Sequence, residues 1–399
     1  MNELPHNDHR RLGQNLDLFH IERGAPGFIY WHPKGWELYQ KIEQFIREKM
    51  KAYEYQEVKS PMILPQKHWE ASGHWEKFGD NMFKIPMKGE DALALKPMSC
   101  PGHVAIFNSK PRSWRDLPQK YCEFGQCHRL EPSGALLGLM RARAFEQDDA
   151  HVLCLEEQVQ DEISNFVSLL KDVYGAFGFD NIDVALSLRP EKRAGSDADW
   201  DWSESVLLEA AQKNNLDPRL LPGEGAFYGP KLEFALKDNS GRKWQCGTIQ
   251  LDRVLPQRLG AQYKGSDGEW HIPFMLHHAV LGSLSRFIGI MLEHYEGHLP
   301  LWLSPEPIAI FPIGSEQEDA AWAFAQQLKE NNIPSHVVPA EQSLAKRMVL
   351  AKSQHIPIFI IIGEREEQKN SVAIKQGRDQ SVYECKDAVK HLISLLHKP

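Results

Sequence analysis

Several features that place a protein in a broad class are missing from this chain of 399 residues. No apolar run reaches the roughly 20 residues that a membrane-spanning helix needs, and no stretch has the composition of a signal peptide. The six cysteines, at positions 100, 122, 127, 154, 246 and 385, follow no tight spacing. This pattern excludes a disulfide framework, and we expect a cytoplasmic protein that does not bind a membrane.

Excess positive charge, internal repeats and a phosphate-binding loop are lacking as well. Lys and Arg total 46 against 54 Asp and Glu, a net charge of -8. This balance argues against a generally basic nucleic-acid-binding surface but allows local basic patches. No repeats and no G-x-x-x-x-G-K-[ST] run occur, so a solenoid and a P-loop are excluded. A chain of this length can bury a large core and is expected to form two or three domains.

The most informative stretch that is present covers residues 122–151 and reads CEFGQCHRLEPSGALLGLMRARAFEQDDAH. Its flanks alternate and its middle is rich in Pro, Ser and Gly, which predicts a strand, a loop and a returning strand. Polar side chains recur at every second position of the returning strand and therefore share one face: Arg141, Arg143, Gln147, Asp149 and His151. Burial of such a set is costly unless it meets a charged ligand, although a solvated face remains the alternative.

A second feature is a candidate set of metal ligands. Cys100 lies in KPMSCPGHVAIF, at a predicted loop position from which a thiolate could reach a metal, although a lone cysteine is more often inert packing. His277 and His278 lie far away in the sequence, in IPFMLHHAVLGS. One Cys and two His, with His151 as the other, can hold a zinc ion with an open fourth position. The spacing alone leaves open whether the site exists and which histidine serves.

Three further segments carry candidate binding residues. GAFYGPKLEFAL and WQCGTIQLD alternate as strands, and the first would place Lys231 near a ligand unless it is a solvated strand end. Later, a strand to about His278 turns at Gly282 and enters an amphipathic helix that carries Arg286 in its first turns. A glycine before a helix N terminus suits a nearby anion.

The remaining segments predict scaffold. A long helix is expected to begin just after Gly35, followed by a short strand over 55–58 that stops at Pro61. We treat the aromatic and histidine side chains of residues 68–83 as packing or surface without a firm role. Residues 155–220 are predicted to be helical. After prolines at 300, 305 and 307, strands alternate with helices over 316–331, 343–354 and 386–397, which predicts a small α/β domain.

Together these elements resemble the motifs of class II aminoacyl-tRNA synthetases, in the form found in threonyl-tRNA synthetases. The long helix with its proline-terminated strand resembles motif 1, the R-x-E strand and the strand ending in Q-D-D-A-H resemble motif 2, and the segment with Arg286 resembles motif 3. SLRPEKRAGSD and the P-x-x-C-P-G-H element are also similar to the family. The resemblance implies an α+β catalytic domain on a mostly antiparallel sheet over residues 1–303, and a small α/β anticodon-binding-like domain with a mixed sheet over 306–399.

The same resemblance implies roles for individual residues. A substrate-binding zinc ion would be held by Cys100, His151 and His277, because His278 falls where the family usually has arginine. Threonine would contact Met98, Gln147, Asp149 and Tyr228. ATP with its Mg²⁺ would contact Arg129, Glu131, Arg141, Gln245, Gln250 and Arg286. Arg129, Lys231 and Arg286 would be catalytic.

The implied activity is zinc- and ATP-dependent formation of threonyl-adenylate and transfer of threonine to the 3′ end of threonine tRNA, by a homodimer joined through motif 1. The zinc ion would reject valine, whereas serine carries the same amino and hydroxyl groups. The chain matches a short form without N-terminal and editing domains, as a natural short paralogue or an organellar or split-type enzyme. We therefore expect serine to be activated too, unless a separate protein removes the product.

The sequence departs from the family pattern in two places. Near the C terminus, Ala340 and Val349 stand where the family has basic residues, and SVAIKQG replaces a V-x-V-R-x-R strand, which predicts weak or altered anticodon reading. In motif 2, Ala144 and Glu146 replace a glycine and a small polar residue. Two alternatives stay open: a paralogue that passes threonine to another tRNA or a non-tRNA acceptor, and a catalytically silent regulatory paralogue.

Overall fold

A computed structural model describes residues 4–238 and 240–398. Within them the α-helices are α1 (His9–Asn15), α2 (Pro33–Ala52), α3 (Gln66–Ala71), α4 (His74–Phe78), α5 (Cys100–Phe107), α6 (Val159–Ala176), α7 (Asp197–Lys213), α8 (Leu255–Arg258), α9 (Leu284–His294), α10 (Glu318–Glu330), α11 (Leu344–Ser353), α12 (Glu364–Gln368) and α13 (Cys385–Leu395). None of these described helices is both long and apolar enough to cross a membrane.

The first fifteen strands are β1 (Phe19–His20), β2 (Tyr30–Trp31), β3 (Gln56–Glu57), β4 (Ile63–Pro65), β5 (Lys84–Ile85), β6 (Leu93–Leu95), β7 (Gln119–His128), β8 (Ala144–Cys154), β9 (Asp183–Ser187), β10 (Arg219–Leu221), β11 (Lys231–Lys237), β12 (Lys243–Asp252), β13 (Tyr263–Lys264), β14 (Trp270–His271) and β15 (Phe274–Ser283). Five more follow: β16 (Ile308–Pro312), β17 (His336–Val337), β18 (Ile358–Ile362), β19 (Ser371–Gln376) and β20 (Asp379–Glu384).

These elements group into two compact units. The large unit comprises Ile21–Ile29 and Glu43–Ile290, and the small unit comprises Met1–His20, Tyr30–Ile42 and Met291–Pro399. The sequence predicted a domain boundary after residue 303. The two compact units are defined by contacts and do not test that boundary, which stays a prediction.

The large unit is built on an eight-stranded sheet in the order β10-β9-β11-β12-β15-β8-β7-β3. Only the two edge pairs, β10 with β9 and β3 with β7, run parallel, so the predicted mostly antiparallel sheet is confirmed. Helix α6 covers one face, where the Tyr174 hydroxyl donates to the carbonyl of Val280 and accepts from the N–H of Gly247, both at 2.9 Å. A Cβ at position 247 would lie 2.5 Å from Leu170, so the close approach of α6 requires glycine there. The opposite face of the sheet is left for the polar row described below.

The small unit contains a five-stranded mixed sheet in the order β17-β16-β18-β19-β20, as predicted for the C-terminal part. Alternate residues of β16 enter two separate apolar clusters. Ile308 and Ile310 pack with α10 and α13 residues such as Phe324 and Leu392, whereas Phe311 belongs to the cluster that includes Ala351 of α11. Both faces of this sheet are therefore apolar core.

Several local predictions need correction. The predicted helix after Gly35 begins at Pro33, a residue that suits the first turn because its missing N–H would be unpaired there anyway. Residues 155–220 are not wholly helical, since β9 and β10 interrupt them. Strand β20 and helix α12 were not predicted. Strand β20 is mostly exposed and polar, so it lacks the apolar run from which a strand is predicted.

Candidate active site

The register of the large sheet aligns five side chains in one row. His151 on β8 pairs with Tyr121 on β7 and with His277 on β15, and His277 pairs in turn with Gln250 on β12. Gln250 pairs with Lys231 on β11. Directly opposed residues of neighbouring strands point to the same face, so this row crosses the sheet perpendicular to the strands.

A second row lies two residues further along the strands and faces the same way. Asp149 on β8 pairs with Glu123 on β7 and with Ala279 on β15. Gln147 follows one step later and pairs with Gly125 and Ser283. The alternation predicted for residues 141–151 is thus realised from 147 to 151, whereas Arg141 and Arg143 precede the strand, which begins at Ala144.

Cys100 reaches the first row from a helix, which corrects the predicted loop position. It is the first residue of α5, and Pro101 occupies the first turn. The Cys100 Sγ atom and one ring nitrogen each of His151 and His277 all lie within 4.8 Å of one another, and all three residues are buried. His151 Nε2 lies 3.0 Å from His277 Nδ1.

Hydrogen bonds behind the two imidazoles show which nitrogens are free to bind a cation. His277 Nε2 is 2.8 Å from the carboxylate of Asp252, and a carboxylate can only accept, so His277 donates there and its Nδ1 carries the lone pair. His151 Nδ1 is 2.7 Å from Nδ1 of His103. Zinc binds nitrogen at about 2.0 Å and sulfur at about 2.3 Å in tetrahedral sites, and these separations between donor atoms fit that geometry. The residues present therefore fit a zinc ion.

The electrostatics of the three donors agree with that fit. Burial, together with the Asp149 and Asp252 carboxylates, raises the pKa of the Cys100 thiol. Burial and the nearby His277 lower the pKa of His151, which keeps its imidazole neutral, the form that binds metals. A divalent cation stabilises a thiolate at such a point.

The side chains assigned to threonine surround this donor set. Asp149 is buried, accepts a hydrogen bond from the N–H of Ser99 at 3.2 Å, and lies 3.8 Å from His151 Nε2. The ring of Tyr228 is buried 5.3 Å from that of His277, and Met98 packs in the same cluster as Cys100. Burial raises the pKa of Asp149. Gln147 lies farther along β8, beyond Asp149.

The arginines assigned to ATP lie near one another. Arg286 in the first turn of α9 donates to the carbonyls of Met140 and Gln245, both at 2.9 Å. Burial, with the positive charges of Arg129 and Arg141, lowers the pKa of Arg286. Both neighbouring guanidinium groups thus act on Arg286, and a cluster of positive charges of this kind attracts an anion.

The other predicted nucleotide contacts have protein partners. The Arg129 guanidinium donates to the carbonyl of Pro97 at 3.2 Å and lies 5.1 Å from the centre of the Phe145 ring. Lys231 Nζ pairs with Glu233 at 2.8 Å, and the Gln250 amide donates to the carbonyl of Gly229 at 3.0 Å. Half-buried Glu131 is an electrostatic neighbour of Arg286.

His278, the histidine that spacing could not separate from His277, faces the other side of the sheet. Its Nε2 is 2.7 Å from the hydroxyl of Tyr55, and its ring packs against Phe166 of α6. Burial lowers the pKa of His278 to about 3. It therefore packs as a neutral core residue and is not part of the donor set.

Four residues at the site were not predicted. His74, in the segment left without a role, is fully buried with Nε2 3.4 Å from Cys100 Sγ, and burial lowers its pKa to about 3. Asp252, His103 and Glu123 lie directly behind the donor set. A pattern was available for two of them, since Asp252 lies two residues after Gln250 on one strand and His103 one turn after Cys100 on one helix.

Comparisons with known proteins identify the family to which this chain is similar. Residues 83–295 match the family described as the tRNA synthetase class II core domain (G, H, P, S and T), and residues 307–395 match the anticodon binding domain family. The chain is 49% identical over 382 residues to threonine–tRNA ligase of Thiobacillus denitrificans, and the aligned region covers 96% of this chain and 60% of the relative. It is also 49% identical over 394 residues to threonine–tRNA ligase of Ehrlichia canis, covering 98% and 62%. The chain thus spans about 60% of the length of these curated relatives.

Solved structures give the same result. The crystal structure of the RNA binding domain of threonyl-tRNA synthetase from Cryptosporidium parvum Iowa II superposes with a TM-score of 0.94 at 35% identity, covering 98% of this chain and 99% of that one. A prolyl-tRNA synthetase from Cryptosporidium parvum, with bound L-proline and AMP, has a TM-score of 0.74 at 15% identity and covers 97% and 74%. At that identity the second likeness shows the fold alone.

Proposed function

Because the chain belongs to the class II aminoacyl-tRNA synthetases, in their threonyl-tRNA synthetase branch, we propose that it activates L-threonine with ATP and transfers it to the 3′ end of threonine tRNA. The observation that carries this proposal is the convergence of Cys100, His151 and His277 within 4.8 Å, on the same face of the sheet as Asp149 and Lys231. Neither a solvated sheet face nor a purely apolar pocket needs such a set.

Amino-acid selection would depend on the donor set and on Asp149. A zinc ion held by Cys100, His151 and His277 supplies positive charge and open coordination positions to an amino group and a hydroxyl. Asp149 accepts a hydrogen bond from the hydroxyl of threonine in this proposal. Valine has no such donor and would leave the other oxygen of the buried Asp149 carboxylate without a hydrogen bond, which costs more than the loss of one methyl contact. Serine has the hydroxyl and is excluded poorly, so we expect it to be activated too.

Adenylate formation would depend on charge and position. The threonine carboxylate attacks the α-phosphorus of ATP, the bond to the β-phosphate oxygen breaks, and pyrophosphate leaves with Mg²⁺. Arg129 and Lys231 would stabilise the α-phosphate and the carboxylate, and Arg141 and Arg286 would hold the terminal phosphates. Glu131, Gln245 and Gln250 would contact the nucleotide. The protein forms no covalent bond, so positioning supplies the rate.

For the partners, we propose a homodimer joined through α2 and a tRNA that is bound with weak or altered anticodon reading. Residues 1–303 would be the catalytic domain and 306–399 the anticodon-binding-like domain. On α11, Val349 stands where a basic residue was expected and is 67% exposed, and its neighbour Leu350 is 59% exposed. The buried Arg347 donates to the carbonyls of Val338 and Pro312 and is therefore occupied within the domain.

Threonine-dependent exchange of pyrophosphate into ATP tests the enzymatic proposal. We expect exchange by zinc-loaded protein with threonine and, more weakly, with serine, but not with valine. Arg286→Gln should lose exchange while it keeps zinc, since this arginine is proposed to contact phosphate alone. No exchange by zinc-loaded wild type would reject the proposal in favour of a silent paralogue. Exchange without charging of any tRNA would favour a non-tRNA acceptor.

A further inference from the structure

Behind His151, two side chains continue the hydrogen-bond chain away from the donor set. His151 Nδ1 is 2.7 Å from His103 Nδ1, and His103 Nε2 is 3.3 Å from Glu123 Oε2. His103 and His151 are fully buried, and Glu123 is 1% exposed. None of these ring nitrogens can exchange its partner for bulk water, so their protons must be arranged consistently along the chain.

The Glu123 end of the chain is ionised. Its carboxylate accepts from Lys96 Nζ at 2.9 Å, from the Ser60 N–H at 3.1 Å and from the Ser60 hydroxyl at 2.7 Å. Burial opposes ionisation, but the bonds from His103, Lys96 and Ser60 outweigh it and lower the pKa of Glu123. Lys96, 2% exposed, matches the negative charge, so His103 need not become a cation to pair with Glu123.

The direction of each hydrogen bond follows from these two facts. An ionised carboxylate only accepts, so Nε2 of neutral His103 must carry the proton. His103 Nδ1 then has the lone pair and accepts from His151 Nδ1–H. His151 Nε2 is left without a proton and faces His277 Nδ1, whose own proton is held on Nε2 by Asp252. Both histidines thus present lone pairs toward Cys100.

We infer that Glu123 and His103 are positioning residues that fix the metal-binding tautomer of His151, as Asp252 does for His277. This inference rests on the proposed zinc site and assigns its supporting residues. Partners that hold the second nitrogen of a metal-binding histidine orient the ring, and their loss typically costs about 10–100-fold in metal affinity. In this hydrogen-bond chain, His103 links the proposed zinc ligand His151 to the carboxylate of Glu123.

Three substitutions of similar size separate this role from simple packing. In His103→Asn, the amide oxygen can take the place of Nδ1 and accept from His151, whereas His103→Leu offers no acceptor. In Glu123→Gln, the amide oxygen is retained by Lys96 and Ser60, so the amide nitrogen faces His103 and reverses the chain, which puts a proton on His151 Nε2. His128→Leu, the same change near the end of strand β7, is the matched control.

The readout is the zinc dissociation constant, measured by competition with a chelator on the purified full chain, with thermal unfolding of zinc-free protein as the check on folding. We expect His103→Leu and Glu123→Gln to bind zinc about 10–100-fold more weakly, and His103→Asn and His128→Leu to stay close to wild type. Folded His103→Leu that binds zinc as tightly as wild type would overturn the inference.

A second measurement observes the tautomer of His151 directly in the wild type. The ¹⁵N shifts of the zinc-free wild type, with His151 assigned by its loss in His151→Gln, should show the proton on Nδ1. A proton on Nε2 would overturn the inference even if zinc binds. Wild type that binds no zinc at all would instead reject the proposed metal site, and the two failures are therefore distinguishable.

Discussion

The two sheets of this protein bury opposite kinds of side chains. In the large unit, one face of the central strands holds His151, His277 and Gln250, all buried. In the small unit, both faces of β16 and β18 are occupied by apolar side chains. Buried polar groups are costly unless every one is paired, whereas an apolar core is stable without any ligand. The proposed chemistry therefore belongs to the large unit, whereas any binding by the small unit would have to use its surface.

The largest effect should come from removing a donor of the large sheet. Cys100→Ser replaces a soft thiolate by a hydroxyl that stays protonated, so we expect zinc affinity to fall by more than the roughly 100-fold that loss of a supporting residue costs. Threonine-dependent exchange should be lost with it. Metal analysis and exchange assays on the same preparation test this.

The control for that experiment is Cys385→Ser in the small unit, another buried cysteine whose loss should leave zinc content and exchange unchanged. If the Cys100→Ser protein kept both zinc and its exchange rate, Cys100 would not be a ligand. The polar face of the large sheet would then lack the thiolate on which the proposed zinc site depends.

A smaller effect is expected at Asp149, which is proposed to select the amino acid without being a zinc ligand. In Asp149→Asn the amide oxygen can still accept from Ser99, but the charged acceptor for the threonine hydroxyl is gone. A hydrogen bond to a charged group contributes about 1.5–3 kcal/mol, so kcat/KM for threonine should fall about 10–150-fold. The KM for ATP should change little. An equally large rise in the KM for ATP would indicate a general distortion of the site. Glu146→Gln, on the same strand, is the control variant.

The pH dependence of zinc binding should be about tenfold per pH unit. Burial raises the pKa of the Cys100 thiol, so metal-free protein holds that proton at neutral pH, and binding must release it. The lowered pKa of His151 means that this imidazole is already neutral, so metal binding displaces no proton from it. The apparent association constant should therefore rise as pH increases from 6 to 8. Chelator competition at each pH measures the slope, and a flat profile would mean that the thiol is not the group deprotonated.

The sequence predicted those site residues that recur at a regular local spacing. It did not predict those that are brought to the site by pairing between distant strands. The two-residue spacing of Gln147, Asp149 and His151 identified one face of one strand, because alternation is a local property. Nothing local distinguished His277 from His278; the family resemblance and the packing of His278 against Phe166 did.

Long-range and unusual local features account for the misses. Glu123 is opposite Asp149 only through strand pairing, so its support of His103 could not be predicted from spacing. Cys100 was placed in a loop because Pro101 suggests a break, although proline is well tolerated in the first turn of a helix. Strand β20 was missed because it is exposed and polar, and its place in the sheet depends on pairing with β19.

The smallest effect is expected from the small unit, when an anticodon base of the tRNA is changed. Each direct base contact contributes about 1–3 kcal/mol of discrimination, and α11 exposes the apolar Val349 where the family resemblance predicts a basic residue. Charging of threonine tRNA with a substituted anticodon should therefore fall by less than about tenfold, and an acceptor-stem minihelix should still be charged. Val349→Lys adds a cation to this exposed position without disturbing the core, so it should strengthen tRNA binding slightly and equally for both anticodons. A loss of several hundredfold on changing the anticodon would show that the surface of the small unit reads bases by contacts outside α11.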